Sequence, residues 1–454
     1  MSSQPLLKGL FDELDSFPFL TGPEAAKTII APAETQLLTP DYQRADVDAM
    51  MGYLALDKRS VDRYLAQFLV SRGFQTGPEL NAFLHPTLAQ LPQPKEMKNL
   101  DEAAHLILEQ LQAGNKIGVV GDYDVDGVTA TAQIVRFCAQ HGAAPSWHIP
   151  NRELDGYGVS PRLVEKLIND RCSLVLLLDH GTHSIREVAS LRSAGIKVVI
   201  LDHHKITGPI ADGLLINANQ IGCGFSAHGL CASALSAYLE WRMNQIKSRA
   251  SAPLPALDLA AVGTVADMAP LRDMVLLSGV NRAIASLGIK QLQDKAGVGI
   301  RQLAFRLGID LKELKSADIG FYIGPAINAA GRLSDANQCV ELLLTEDEEK
   351  ARQIAATLVD LNKQRKDVQK STLEQALVRL AAKGDQLTSI TIDSDGSNHQ
   401  GVVGLISQAL SQRYARPAIS FAAGQEGTLR GSGRSGTSEF DLISILDEVR
   451  RLDQ

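Results

Sequence analysis

The sequence predicts an α/β protein: a parallel sheet with helices on both faces, then a long connecting helix, then a smaller, partial second α/β unit. Three observations carry this. From about residue 100, short apolar runs alternate with amphipathic stretches, several of them closed by glycine. The apolar runs are near-continuous, as in LVLLL (174–178) and VVIL (198–201), which is the pattern of strands buried on both faces. Residues 345–384 then read as one uninterrupted helix, long enough to join two units.

In chain order, residues 1–95 are mixed. FPFLTGPEAAKTIIAPAETQLLTPDY (17–42) reads as loop-rich and SVDRYLAQFLVSRGF (60–74) as an amphipathic helix, while the prolines of LHPTLAQLPQPKEM (84–97) mark a link. Residues 96–340 form the main unit. Helices are predicted over 100–114 (closed by Gly114), 128–142 (closed by Gly142), 160–170 and 184–195, with strands over 116–122, 145–151, 173–179 and 197–204. Residues 230–340 are mostly helical. The connecting helix occupies 341–384, with Thr345 and Glu348 as a capping box, Gly384 as its stop, and Leu358, Leu361, Val368, Leu373, Leu377 and Leu380 as an apolar stripe. Residues 385–454 supply strands in LTSITID (387–393) and PAISFAAG (417–424) around the helix GVVGLISQALSQRY (401–414).

A chain of 454 residues that is 45% hydrophobic can bury two or three cores. The net charge of −7 excludes a basic nucleic-acid coat, so any polyanion must be met by local Arg, Lys or metal. Cys138, Cys172, Cys223, Cys231 and Cys339 show no CxxC spacing and read as reduced core thiols. The N-terminal segment carries acids and no long apolar core, unlike a secretory signal, and no apolar run approaches the roughly 18 residues of a membrane span. The expectation is a cytoplasmic protein without a membrane partner.

Four apolar segments end in acid. Val119–Val120 precedes Asp122, Asp124 and Asp126; Leu174–Leu178 precedes Asp179; Val198–Leu201 precedes Asp202 and the pair His203–His204; Leu259–Val265, readable as strand or helix, precedes Asp267. In an open parallel sheet, ligands bind beyond the carboxyl ends of the strands, so acids far apart in sequence can meet there. Carboxylates that close cannot all stay ionised without a cation, and a carboxylate–imidazole mixture suits Mn²⁺ and similar ions. Two such ions about 3.5–4 Å apart activate water and stabilise a leaving oxygen in phosphoester cleavage. Taken alone, Asp122–Asp124–Asp126 also fits a solvated turn. A calcium loop needs Glu where Gln133 stands, and an aspartyl-phosphate loop of the haloacid-dehalogenase kind leaves the histidine pair without a use.

GDYDVDG, LLLDHG, ILDHH and GTVADMAPL, in this order, resemble the four motifs of the DHH phosphoesterase superfamily. PNRELDGYG (150–158), GPAINAAGRL (324–333), NHQGVVG (398–404) and GTLRGSGRS (427–435) resemble RecJ-type single-strand-specific DNA exonucleases within it. The resemblance implies a DHH domain followed by a partial DHHA1-like domain, and a 5′–3′ exonuclease working in DNA repair and recombination. It implies two Mn²⁺ or Mg²⁺ ions held by Asp124, Asp126, Asp179, His203 and Asp267, with Asp122 and Asp202 as further ligands or orienting groups and His204 beside the scissile phosphate. Arg152, Arg332, Ser432 and Arg434 match positions that hold DNA phosphates; a Gly/Ser loop and an Arg fork suit that task. Single-stranded DNA is the implied partner, with a single-strand-binding protein or a helicase beside it. The chain departs from the family at Val120, where some members have His, at His180 (usually Asn), at Ala326 (usually Arg) and at Asn398 (usually aromatic). It also stops before a Gly-Gly-His motif and an OB-type fold, so the expectation is an intact metal centre with a weakened hold on DNA.

Overall fold

The structure is a computed structural model, and it describes residues 43–54, 60–226, 229–248, 256–267, 279–382, 391–393, 395–424, 427–436 and 441–452. The loop-rich reading of 17–42, the Gly384 stop and the first residues of the 387–393 strand lie outside these.

Three short helices, α1 (Arg44–Tyr53), α2 (Ser60–Ser71) and α3 (Pro78–Leu84), close on a small core of Val47, Met50, Met51, Ala66, Leu69 and Leu80. Helix α4 (Leu100–Gln112) then leads into the main sheet, built from β1 (Ile117–Val120), β2 (Ser146–His148), β3 (Leu174–Leu178), β4 (Lys197–Leu201) and β5 (Leu214–Ile216). All pairings are parallel and the order is β2-β1-β3-β4-β5. Every residue of β1 and β3 is buried, which explains the unbroken apolar runs. Alternate side chains feed opposite cores. Val119, Leu174, Leu176, Leu178, Val199 and Leu201 face α4, α5 (Val125–Gln140) and α8 (Ala232–Ser248). Val120, Val175, Leu177, Val198 and Ile200 face α6 (Pro161–Asn169) and α7 (Ile185–Ser193).

This strand order reverses between β1 and β3. A parallel sheet opens a crevice at such a switch point, and ligands bind in it beyond the strand ends. The Asp122 loop follows β1 and Asp179 follows β3, so topology alone brings them together.

Helices α9 (Asp258–Asp267), α10 (Gly279–Lys295), α11 (Val298–Leu307), α12 (Gly324–Leu333) and α13 (Asn337–Leu344) enclose a second core with α5. The Asp267 segment is therefore a helix and not a strand. Leu259 to Val265 are all buried, and an apolar run buried on every side shows no period that separates helix from strand.

The connecting helix is α14 (Glu348–Ala382), about 52 Å long at 1.5 Å per residue. Its cap is not the predicted Thr345–Glu348 box. Asp347 Oδ1 accepts from the N–H groups of Glu349 and Lys350, and Thr345 Oγ1 accepts from Asp347 N. Leu358 and Leu361 pack on the α9–α13 core, whereas Val368, Leu373, Leu377 and Leu380 pack on the second unit. That unit holds β6 (Thr391–Asp393), α15 (Val403–Tyr414), β7 (Ala418–Ala423), β8 (Leu429–Arg434) and α16 (Leu442–Leu452), with sheet order β6-β7-β8. The RGSGRS segment is thus an edge strand paired antiparallel with β7, not a loop. Its glycines mark close packing: a Cβ on Gly431 would come within 2.7 Å of the Phe421 ring, and one on Gly433 within 2.6 Å of Leu442.

Asn398 has a defined place. Arg379 of α14 grips Asp393 with Nε and a terminal nitrogen at 2.9 and 3.0 Å, and Asn398 bonds both Arg379 and Asp393. This network locks the connecting helix to the second unit.

Candidate metal centre and adjoining cleft

The Asp122 loop is shaped by close approach. A Cβ on Gly127 would lie 2.3 Å from Asp122 N, so only glycine lets α5 begin against the loop. Asp124 caps α5, its Oδ1 accepting from Asp126 N and Gly127 N at 3.0 and 3.1 Å. Asp126 sits in the first turn of α5 and accepts from Ala232 N and Ser233 N at 2.6 and 2.8 Å, the first N–H groups of α8. The positive end of α8 thereby supports its charge. Asp179 ends β3 in left-handed backbone, φ 70°, and its Oδ1 lies 3.1 Å from His203 Nε2. Asp267 ends α9, with Oδ2 4.0 Å from the same nitrogen.

These side chains form three overlapping donor groups: Asp179–His203–His204, Asp126–His203–Asp267 and Asp122–Asp124–Asp179. Asp179 and His203 each serve two of them. Asp202 stands apart. Its Oδ1 accepts from His203 N, His204 N and His204 Nδ1, and its Oδ2 from the N–H and hydroxyl of Thr182. With both oxygens engaged, it is placed to orient the His203–His204 turn.

The electrostatics are those of a cation site. Burial, then the neighbouring Asp124, pushes Asp122 up to about 8; burial, then Asp126, pushes Asp267 up to about 7. Burial also raises Asp126 and Asp179. Among the described residues, neither Asp122 Oδ1 nor Asp267 Oδ2, both buried, has a hydrogen-bond partner. Carboxylates with one or two imidazoles fit Mn²⁺ or Mg²⁺, and divalent charge removes the repulsion that the cluster otherwise bears. For Asp202 burial acts upward, yet the bonds from His204 and Thr182 hold its pKa below the usual carboxylate range. The same bond to Asp202 raises His204.

Arginines at the contact between the two units adjoin this centre. Arg152 lies 3.9 Å over the Tyr123 ring and donates to Gly331 O; Arg332 donates to Gly401 O across the units. Burial, then Arg152 and Arg365, lowers Arg332 to about 10. Ser432 and Arg434 sit over the first turn of α15, where a Cβ on Gly404 would meet Ser432 Oγ at 3.2 Å and an Arg434 terminal nitrogen at 3.5 Å. Among the described residues, none of Arg152, Arg332 and Arg434 has a carboxylate at ion-pair distance. Three cations without acids, beside a helix N-terminus, suit an anion.

The family described as "DHH family, N-terminal domain" matches residues 116–264. The single-stranded-DNA-specific exonuclease RecJ of Escherichia coli K12 is 32% identical over 411 residues, 86% of this chain and 68% of that protein. RecJ of Haemophilus influenzae is 35% identical over 367 residues, 78% of this chain and 63% of its own length. This chain belongs to the RecJ family.

RecJ of Bacillus subtilis is 32% identical over 412 residues, which is 90% of this chain and 50% of that protein. The chain therefore spans half to about two thirds of these relatives' length. RecJ of Thermus thermophilus, solved in complex with Mn²⁺, superposes with a TM-score of 0.74 at 29% identity, over 91% of this chain and 57% of that one. An exonuclease RecJ bound to manganese superposes with a TM-score of 0.67 at 32% identity, over 80% and 87%. The donor set here thus lies in a fold whose solved members hold the ion it fits.

Several residues escaped the sequence reading. Asn217 and Asn219 donate to the carbonyls of His204 and His203, yet they follow β5, whose three residues are too short to register as a strand. Asn328 of α12 accepts from Val125 N at the start of α5. Tyr157 donates to Asp179 O. The last two lie in motifs that sequence alone had singled out. Of the RecJ departures, Ala326 is fully buried, and His180 is buried with both ring nitrogens unpartnered, burial pushing it down to about 4.

Proposed function

We propose that this chain is a metal-dependent phosphodiesterase that degrades single-stranded DNA from its 5′ end, in DNA repair and recombination. The observation that carries the reading is the convergence of seven donor residues from four distant motifs on the switch point of the sheet, with Arg152 and Arg332 nearby. The relatives' name, single-stranded-DNA-specific exonuclease, supports the substrate class.

In this reading Asp122, Asp124, Asp126, Asp179, His203 and Asp267 hold two Mn²⁺ or Mg²⁺ ions. When bound, those ions supply water activation and neutralise charge at the phosphate. Asp202 fixes the ring of His204 through Nδ1, so that the imidazole, its pKa raised, offers a proton to a phosphate oxygen. Arg152, Arg332, Ser432 and Arg434 position the strand through its phosphates. Stacking of Arg152 on Tyr123 holds that guanidinium in place. A single-strand-binding protein or a helicase would present the strand.

The test is degradation of 5′-labelled single strands with Mn²⁺, Mg²⁺ or excess EDTA. Metal-dependent release of label from the 5′ end is expected. Cleavage that survives EDTA, or equal cutting of blunt duplex, rejects the reading.

A further inference from the structure

Tyr157 lies just outside the donor groups, in the loop between β2 and α6. Its hydroxyl is 3.1 Å from the Asp179 carbonyl oxygen, and 3.3 and 3.5 Å from His204 Nε2 and Nδ1. Its ring meets the His204 ring edge-on, with centroids 6.0 Å apart at 79°, and meets Tyr123 in the same way at 6.4 Å and 74°. Tyr123 in turn carries Arg152 on its face. Tyr157 therefore joins three parts of the site: the end of β3, the histidine pair and Arg152.

His204 needs such a neighbour. Its side chain is half exposed, and its one strong bond is from Nδ1 to Asp202 Oδ1 at 2.7 Å. A ring held at one nitrogen can still swing about that bond. A second contact, on the side of the ring that both nitrogens share, removes that freedom and fixes how the ring lies. The Tyr157 hydroxyl supplies it, and the hydroxyl is itself fixed by the Asp179 carbonyl on rigid, fully buried β3.

We propose that Tyr157 is a positioning residue for His204: with Asp202 it holds the imidazole in one orientation, setting how the ring faces the reacting phosphate. This deepens the phosphodiesterase reading and rests on it for its consequence in rate. The contact itself does not depend on activity.

The experiment compares the wild type with Tyr157→Phe, which keeps both ring contacts and removes only the hydroxyl, alone and combined with His204→Ala. With 5′-labelled single strands and Mn²⁺, Tyr157→Phe is expected to lower kcat about ten-fold, leaving KM and calorimetric Mn²⁺ affinity within about two-fold. In the His204→Ala background it is expected to add nothing, because the residue it positions is gone. Full loss in both backgrounds, a change confined to KM, or an unchanged kcat overturns the proposal. A second readout needs no turnover: the His204 imidazole ¹⁵N and ¹H signals are expected to shift and broaden in Tyr157→Phe while the circular dichroism is unchanged. Unmoved signals overturn the proposal even if the chain proves inactive. Absence of any EDTA-sensitive cleavage in the wild type rejects the functional reading instead and leaves the imidazole result to decide the positioning.

Discussion

Asp179 shows at one residue why the centre needs cations. It is 2% exposed, joins two donor groups, and is surrounded by Asp126, Asp124, Asp122 and Asp267. Without metal its charge is a liability, so Asp179→Asn is expected to abolish cleavage yet stabilise the metal-free chain at pH 8 by roughly 1–3 kcal/mol. Chemical denaturation in EDTA checks this; a destabilised variant would show that the carboxylate is structurally required. The same logic fixes a pH dependence. Asp267 at about 7 and Asp122 at about 8 are raised above their unfolded values. Their contribution is therefore fully present below about pH 4 and is lost as pH rises through 7 to 8. The metal-free protein should weaken over that window, and Mn²⁺ should restore stability most at its upper end. Glu240, buried on α8 and pushed by burial to about 8, gives a loss of the same sign. Glu240→Gln should flatten that part, while the Mn²⁺-sensitive part remains. A metal-independent pH profile would show that the aspartates are not the source.

At the scale of elements, the turn from β1 into α5 decides whether the centre forms. Gly127 lets the first turn of α5 touch the backbone of Asp122, and Asp126 beside it holds the N-terminus of α8. One substitution should therefore disturb both. Gly127→Ala places a methyl against main-chain atoms that cannot rotate away, and it should cost roughly 2–4 kcal/mol with a marked loss of Mn²⁺ affinity. Thermal unfolding with and without Mn²⁺ measures both parts. Wild-type affinity would mean that the loop shifts without moving its ligands. The strand β8 carries a different lesson. Its Gly and Ser residues suggest a loop in sequence, but pairing with β7 and packing under Leu442 turn RGSGRS into a rigid edge, so Ser432 and Arg434 are presented from a strand.

For the molecule as a whole, α14 joins the two units. One half belongs to the α9–α13 core, the other to the second unit, and the Arg379–Asp393–Asn398 network fastens the latter. Arg332 to Gly401, and Arg430 to the Arg152 carbonyl, bridge the two sides. In the proposed reading a strand meets these cations locally, in a chain whose net charge is −7, so its binding should depend on salt. Arg434→Ala is expected to reduce the slope of log affinity against log salt by about 0.7, the value for one phosphate contact on a single strand. It should also penalise 5′-phosphorylated strands more than 5′-hydroxyl strands. Equal loss on both would make Arg434 a general backbone contact and not a reader of the end.

By itself the sequence determined what local chemistry can encode. Unbroken apolar runs at 174–178 and 198–201 imposed buried parallel strands, glycines closed the helices at 114 and 142, and acids at the strand ends announced a cation site. It also exposed the motif arginines, through the resemblance of PNRELDGYG, GPAINAAGRL and GTLRGSGRS to RecJ-type sequences. Only the tertiary structure decided what depends on who stands next to whom. The element before Asp267 is a helix that sequence could not tell from a strand, because burial on every side erases the identifying period. Asp202 stands apart from the donor groups, because five donors from His203, His204 and Thr182 engage its oxygens. Tyr157 and Asn217 become part of the centre through contacts across 47 and 13 residues of chain, respectively, with His204. Local sequence fixes propensity and charge, but a site is a set of distances, and those are set when the sheet orders its strands.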